Sequence, residues 1–165
     1  MPGTGISRPA IPSTCKRPVQ RNFFTYPLTI QRSMRIRLTG VHVNDLAEAL
    51  KFYTETLGFV KKADITANNY RWLTVVSPED PDGTQLVLGP DDNPAAKAYQ
   101  EALFKQGIPA ASFFVDDIQK EYERLRRLGV KFTMEPTKLP GTPSTIAILD
   151  DTCGNLIQIT QLPGF

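Results

Sequence analysis

The chain has 165 residues, 41 % of them hydrophobic, which suffices for one domain or a tandem pair of small modules and leaves no apolar run as long as a membrane span. Its formal net charge of +2 is unevenly spread. Residues 1–33 hold Arg8, Lys16, Arg17, Arg21 and Arg32 and no acid, so 14 of the 19 basic residues face 17 acids from Met34 onward, a net of −3 that excludes a basic nucleic-acid face.

Residues 1–33 carry five prolines and few periodic apolar positions, a composition expected to stay disordered because it buries too little surface to offset chain entropy. An acid-free, Arg-rich leader also suits an organelle transit peptide, but the proline density opposes the amphipathic helix such a peptide needs. Met34 opens the patterned region, so an upstream start is the expected origin of the extension.

The first strand is expected over Arg35–Val43, where Val41 and Val43 alternate with His42 and Asn44. Asn44 and Asp45 break the run with capping side chains. A helix is predicted over Asp45–Thr56 from the stripe of Leu46, Ala49, Leu50, Tyr53 and Leu57, and Gly58 stops it. Strands follow at Phe59–Ile65, Tyr70–Ser77 and Thr84–Leu88, with a Pro/Asp/Gly turn at Pro78–Gly83. Pro90–Pro94 is a linker, and Ala95–Lys105 a connecting helix. The pattern then repeats as strand Pro109–Val115, helix Asp117–Leu128 and strand Val130–Met134. Pro136–Pro143 reads as an irregular loop, and the last strands are Thr145–Leu149 and Asn155–Gln161.

The repeat is explicit. Val115-x-Asp117 matches Val43-x-Asp45 at an offset of 72 residues (117 minus 45), and Ile118, Tyr122 and Leu125 fall on Leu46, Leu50 and Tyr53. A β-α-β unit present twice implies two copies of a module too small to bury its own face. Module one spans about 34–92 and module two about 109–162. The two cysteines, Cys15 and Cys153, form neither a metal spacing nor a disulfide framework, which suits a reducing cytoplasm.

The strand-Asp-helix-Phe-Tyr…Leu-Gly-Phe unit, its echo from Val115 to Val130, and the closing Asp151, Gly154, Asn155, Leu156, Ile157 and Gln158 together resemble the vicinal oxygen chelate superfamily over residues 34–162. That group contains glyoxalase I, extradiol dioxygenases and bleomycin-resistance proteins. The resemblance implies an α+β fold of tandem β-α-β-β-β modules, a curved, mixed, mostly antiparallel sheet around a cavity.

In metal-using members four strand positions supply ligands. Counted onto this chain they are Leu38, Val87, Ala110 and Gln158. Only Gln158 carries a donor, and divalent metals in such sites need several carboxylates or imidazoles, whereas the chain has one histidine. No metal and no other cofactor is therefore expected.

Strand alternation puts Leu38 and His42, Val87, Ser112 and Phe114, and Gln158 on the cavity side, while the face of Trp72 stays open. These seven are the candidate ligand-binding residues. His42 is the one candidate general base, Gln158 the one amide suited to a ligand carbonyl, and Asp45, Asp117 and Asp151 read as caps and turn residues. The resulting expectation is a metal-free protein binding a small hydrophobic or aromatic molecule, as bleomycin-resistance proteins do. The competing one is a metal-dependent enzyme of lactoylglutathione lyase, isomerase or extradiol dioxygenase type, so whether the chain is an enzyme stays open. A homodimer is expected to cover the exposed concave face.

Overall fold

The computed structural model describes residues 34–164 apart from Asn69, so the expectation for 1–33 lies outside the described residues. Eight strands form two four-stranded sheets, ordered β1-β4-β3-β2 and β5-β8-β7-β6. In module one the elements are β1 (Leu38–Val43), α1 (Leu46–Lys51), β2 (Val60–Ala67), β3 (Tyr70–Val76) and β4 (Gln85–Pro90). After α2 (Pro94–Lys105), module two repeats the order with β5 (Ala111–Phe114), α3 (Ile118–Arg127), β6 (Phe132–Lys138), β7 (Thr145–Asp150) and β8 (Leu156–Gln161). Each sheet has one parallel pair, β1 with β4 and β5 with β8, and its other pairs are antiparallel. The α+β class and the duplicated module are as the residue pattern implies.

Local chemistry explains the boundaries. Asp45 Oδ1 accepts from Ala47 N at 2.7 Å and Glu48 N at 3.0 Å, which caps α1 and holds the Asp45 carboxyl below its usual range. Asp117 caps α3 through Lys120 N, and Asn93 caps α2 with Pro94 in the first turn. Gly58 and Gly129, both at φ +85°, take the left-handed turn that ends each module's helix.

Two elements differ from the sequence expectation. The first helix does not stay α-helical to Thr56: Phe52–Thr56 is a π-helix, closed by Leu57 N to Phe52 O. Thr54 Oγ1 donates to Leu50 O at 2.7 Å, and the wider turn brings the adjacent aromatics Phe52 and Tyr53 into the core together. The presumed loop at Pro136–Pro143 begins as strand, because β6 runs to Lys138. β6 is an edge strand with a register shift between Met134 and Thr137, and an edge position at a bulge accepts a proline that a central strand would not.

The helix-covered faces of both sheets share one core. Val41, Val43, Leu73, Val75 and Leu88 of module one join Leu125, Ala147, Leu149, Ile157 and Ile159 of module two. Tyr53 sits at the join, with its ring centroid 6.4 Å from that of Phe59 and 6.5 Å from that of Phe113. A fully buried Leu149 or Ile157 contributes about 1.5–3 kcal/mol each. The opposite sides of both sheets are exposed toward β1 and β5, where Leu38 is 49 % and Phe114 51 % exposed, while Thr74, Ile146 and Ile148 on the same sides are buried.

Candidate functional site

Register decides which side chains share each concave face, since directly paired residues project to the same side. Across the first sheet Gly40, Val87, Thr74 and Ala63 form one row. Trp72, two residues from Thr74 and paired with Ile65, therefore lies on the same face as Val87. This resolves the face that alternation alone left open. Leu38 and Gln85 pair beside that row, and Thr74 Oγ1 donates to Gln85 Oε1 at 2.8 Å. Leu38, Trp72 and Gln85 line a shallow pocket of about 400 Å³ with Arg37, Lys62 and Asp82 at its rim. His42 projects from the same face at the far end of β1, opposite Gly89, and is exposed.

On the second sheet the rows are Ser112, Gln158, Ile148 and Met134, then Phe114, Thr160, Ile146 and Thr137. Gln158 Nε2 donates to Thr160 Oγ1 at 2.9 Å and to Ser112 Oγ at 3.2 Å, and the two hydroxyls lie 3.0 Å apart. The amide is thus held flat on the sheet by two hydroxyls. The fold brings Leu38, Trp72, Val87 and His42 onto one face and Ser112, Phe114 and Gln158 onto another. The 400 Å³ pocket draws on the first group alone, and a larger cleft beside β5 draws on Ser112 and Phe114.

The donor set for a divalent metal does not fit. The four positions that the resemblance assigns to ligands carry two aliphatic side chains, one methyl and one amide whose nitrogen is already hydrogen-bonded. Among the described residues no three His, Cys, Asp or Glu side chains gather where they could hold an ion. Also among the described residues, no helix is long and apolar enough to cross a membrane.

Sequence reasoning missed a buried polar network behind the sheets. Asp151, read as a turn residue, is fully buried. Its Oδ2 accepts from Tyr53 Oη at 3.0 Å and Asn155 Nδ2 at 2.8 Å, and its Oδ1 from Cys153 N and Asn155 N, both at 2.8 Å. Burial raises its pKa above the ordinary carboxylate value despite those donors. Burial, then the Asp151 charge and the hydrogen bond to it, hold the Tyr53 phenol protonated well above 10. Burial and Asp151 likewise push the Cys153 thiol up to about 12, which leaves it unreactive.

Gln100, from the buried side of α2, completes this network. Its Nε2 donates to His42 O and, at 3.0 Å, to Cys153 O. Asn44 N donates to Cys153 O at 3.1 Å, and Asn155 Nδ2 to His42 O at 2.8 Å. The end of β1 is thereby tied to the β7–β8 turn. A lone Gln on a mostly apolar, alanine-rich helix carries no sequence signal for this role; the Asp151…Gly154-Asn155 turn did, as a motif rather than as a buried acid.

Comparison with known proteins agrees with this architecture. Residues 35–159 match the Glyoxalase/Bleomycin resistance protein/Dioxygenase superfamily. The uncharacterized protein YurT of Bacillus subtilis (strain 168) is 56 % identical over 128 residues, which cover 78 % of this chain and 99 % of YurT. The crystal structure of UcmS2 superposes with a TM-score of 0.67 at 32 % identity, covering 77 % of this chain and 97 % of that one. TnmS3, an antibiotic binding protein from Streptomyces sp. CB03234, superposes with a TM-score of 0.62 at 28 % identity, covering 78 % of this chain and 96 % of its own.

Proposed function

Because this chain belongs to the glyoxalase/bleomycin resistance protein/dioxygenase superfamily, we propose that it is a metal-free binding protein that takes up a small hydrophobic or aromatic molecule against its concave sheet faces. The observation that carries the reading is the chemistry of Leu38, Val87, Ala110 and Gln158: the fold is kept while the ligand positions hold no carboxylate or imidazole. What those positions offer instead is apolar area beside one amide, with Trp72 and Phe114 as flat surfaces for an aromatic ring. Gln158 supplies the directional hydrogen bond. TnmS3, an antibiotic binding protein on a similar fold, supports binding of a small molecule.

The same reading includes a homodimer in the cytoplasm with neither nucleic acid nor membrane as partner. The support for the dimer is geometric. Both concave faces of one chain are open, β1 and β5 each end a sheet, and large apolar side chains stand exposed on both faces. A second copy covers such surfaces with least new chemistry, by a two-fold contact.

Metal analysis of protein purified without chelator tests the donor argument. Well under one ion per chain is expected for zinc, nickel, manganese and iron alike. A stoichiometric metal would overturn the reading and favour a metal-dependent lyase, isomerase or dioxygenase.

A further inference from the structure

The two modules are related by an internal repeat, and the repeat fails at the junctions between them. Tyr53 and Leu125 correspond through the 72-residue offset. Val87 pairs with Thr74 as Gln158 pairs with Ile148, so three residues further on Ser77 corresponds to Asp151. On one side of the molecule Tyr53, Asp151, Asn155 and Gln100 fill the junction between the end of β1 and the β7–β8 turn. The matching junction lies between the end of β5 and the β3–β4 turn. Here Leu125 and Ser77 replace the Tyr–Asp pair, and a cleft of about 640 Å³ is left open.

We propose that this cleft is a second binding site, for a flat apolar molecule bearing a protonated amine. Its volume falls within the range of ordinary small-molecule pockets. Its floor is Leu57, Phe59, Phe113, Leu125 and Ile159, with the Phe59 and Phe113 rings edge to face at 5.0 Å. Its polar rim is one-sided: Glu79, Asp116 and Glu121 are acids, and no basic side chain lines it. Glu121 is already neutralised, since Arg124 bonds both its oxygens at 2.6 and 2.9 Å. Glu79 and Asp116 take part in none of the ion pairs among the described residues. Two unpaired carboxylates over an aromatic floor favour a cation with an apolar body and reject an anion. The cleft meets the concave face at Ser112 and Phe114, but its floor comes from Phe113 and Ile159 on the other side of the second sheet and from Leu57 and Phe59 of module one.

Calorimetric titration of the full chain with 2-naphthylmethylamine, 2-naphthylmethanol and 2-naphthoate tests this, with backbone-amide NMR to locate the contact. The amine is expected to bind about tenfold tighter than the alcohol, about 1.4 kcal/mol, from its two exposed charge contacts. E79Q/D116N, which changes only solvent-facing acids, should abolish that preference and keep the alcohol's affinity. Leu162→Trp, at the lip, should weaken both. Amide shifts should centre on Ser77–Glu79 and Val115–Asp116. Equal affinity for all three probes, no saturable binding, or shifts confined to the strands around Trp72 and Gln158 would overturn the proposal. The last of these would leave the concave-face reading standing.

Discussion

Asp151→Ala is expected to cost about 3–5 kcal/mol of unfolding free energy, a large share of a domain's total stability. The carboxylate is fully buried and accepts from Tyr53 Oη, two backbone N–H groups and Asn155 Nδ2. Alanine leaves those donors facing a cavity, and each buried donor without an acceptor costs about 1–3 kcal/mol, less where water enters. Asp151→Asn keeps Oδ1 for the Cys153 and Asn155 amides and should cost about half as much. Urea unfolding followed by circular dichroism measures both. A loss below 1 kcal/mol for Asp151→Ala would mean that the network does not hold the β1 end to the β7–β8 turn. Acid should partly relieve Asp151: its pKa is raised in the folded state, so between the unfolded value near 3.8 and that raised value the folded chain holds a proton that the unfolded chain has lost. Stability from this group therefore falls as pH rises through that window. The exposed Asp64, pulled down to about 2 chiefly by its hydrogen bonds from Arg71, acts in the opposite sense, favouring the fold above 3.8 and losing that as pH falls toward 2.

Leu38→Arg and Phe114→Arg are each expected to convert the protein from dimer to monomer at micromolar concentration. Both side chains are half exposed within one chain, so arginine there reaches water and the fold survives. In a two-fold contact each substitution occurs twice. Burying an unpaired guanidinium costs about 3 kcal/mol per copy, about 6 in all, which weakens association by about 10⁴-fold. Light scattering reads the mass, and circular dichroism checks the fold. A wild-type monomer would defeat the dimer and place any pocket within one chain. A dimer untouched by either arginine would move the interface elsewhere, for which the exposed Tyr99 and Phe104 on α2 offer another apolar surface.

Much of the fold was legible because its signals are local. Asp45 and Asp117 announce helix starts, Gly58 and Gly129 announce their ends, and the alternation at Val41 and Val43 marks the buried side of β1. The register was not local, and so Trp72 could be assigned a face only from its pairing with Ile65. The burial of Asp151 and Gln100 was also invisible, because a residue's partners across 98 or 53 positions of sequence leave no periodic trace. The π-helix escaped for a different reason: Phe52 and Tyr53 are adjacent, and a regular helix turns one of two neighbours away from the core. Within the candidate site, the residue types at the four positions that the resemblance assigns to ligands, Leu38, Val87, Ala110 and Gln158, were readable from the sequence. The separation of its seven residues onto two outward faces was not, because the pairing pattern says how strands join within a module and not how modules stack.

The measurement that bears most directly on a metal-free binding function is thermal unfolding of chelator-treated protein against a panel of hydrophobic, aromatic and antibiotic-like compounds. A ligand at 100 times its dissociation constant adds about 2.7 kcal/mol, which raises the midpoint of a domain this size by about 10 °C. At least one compound should do so with the chelator still present. If no compound shifts the midpoint, or if shifts return only when a divalent metal is restored, the account is wrong.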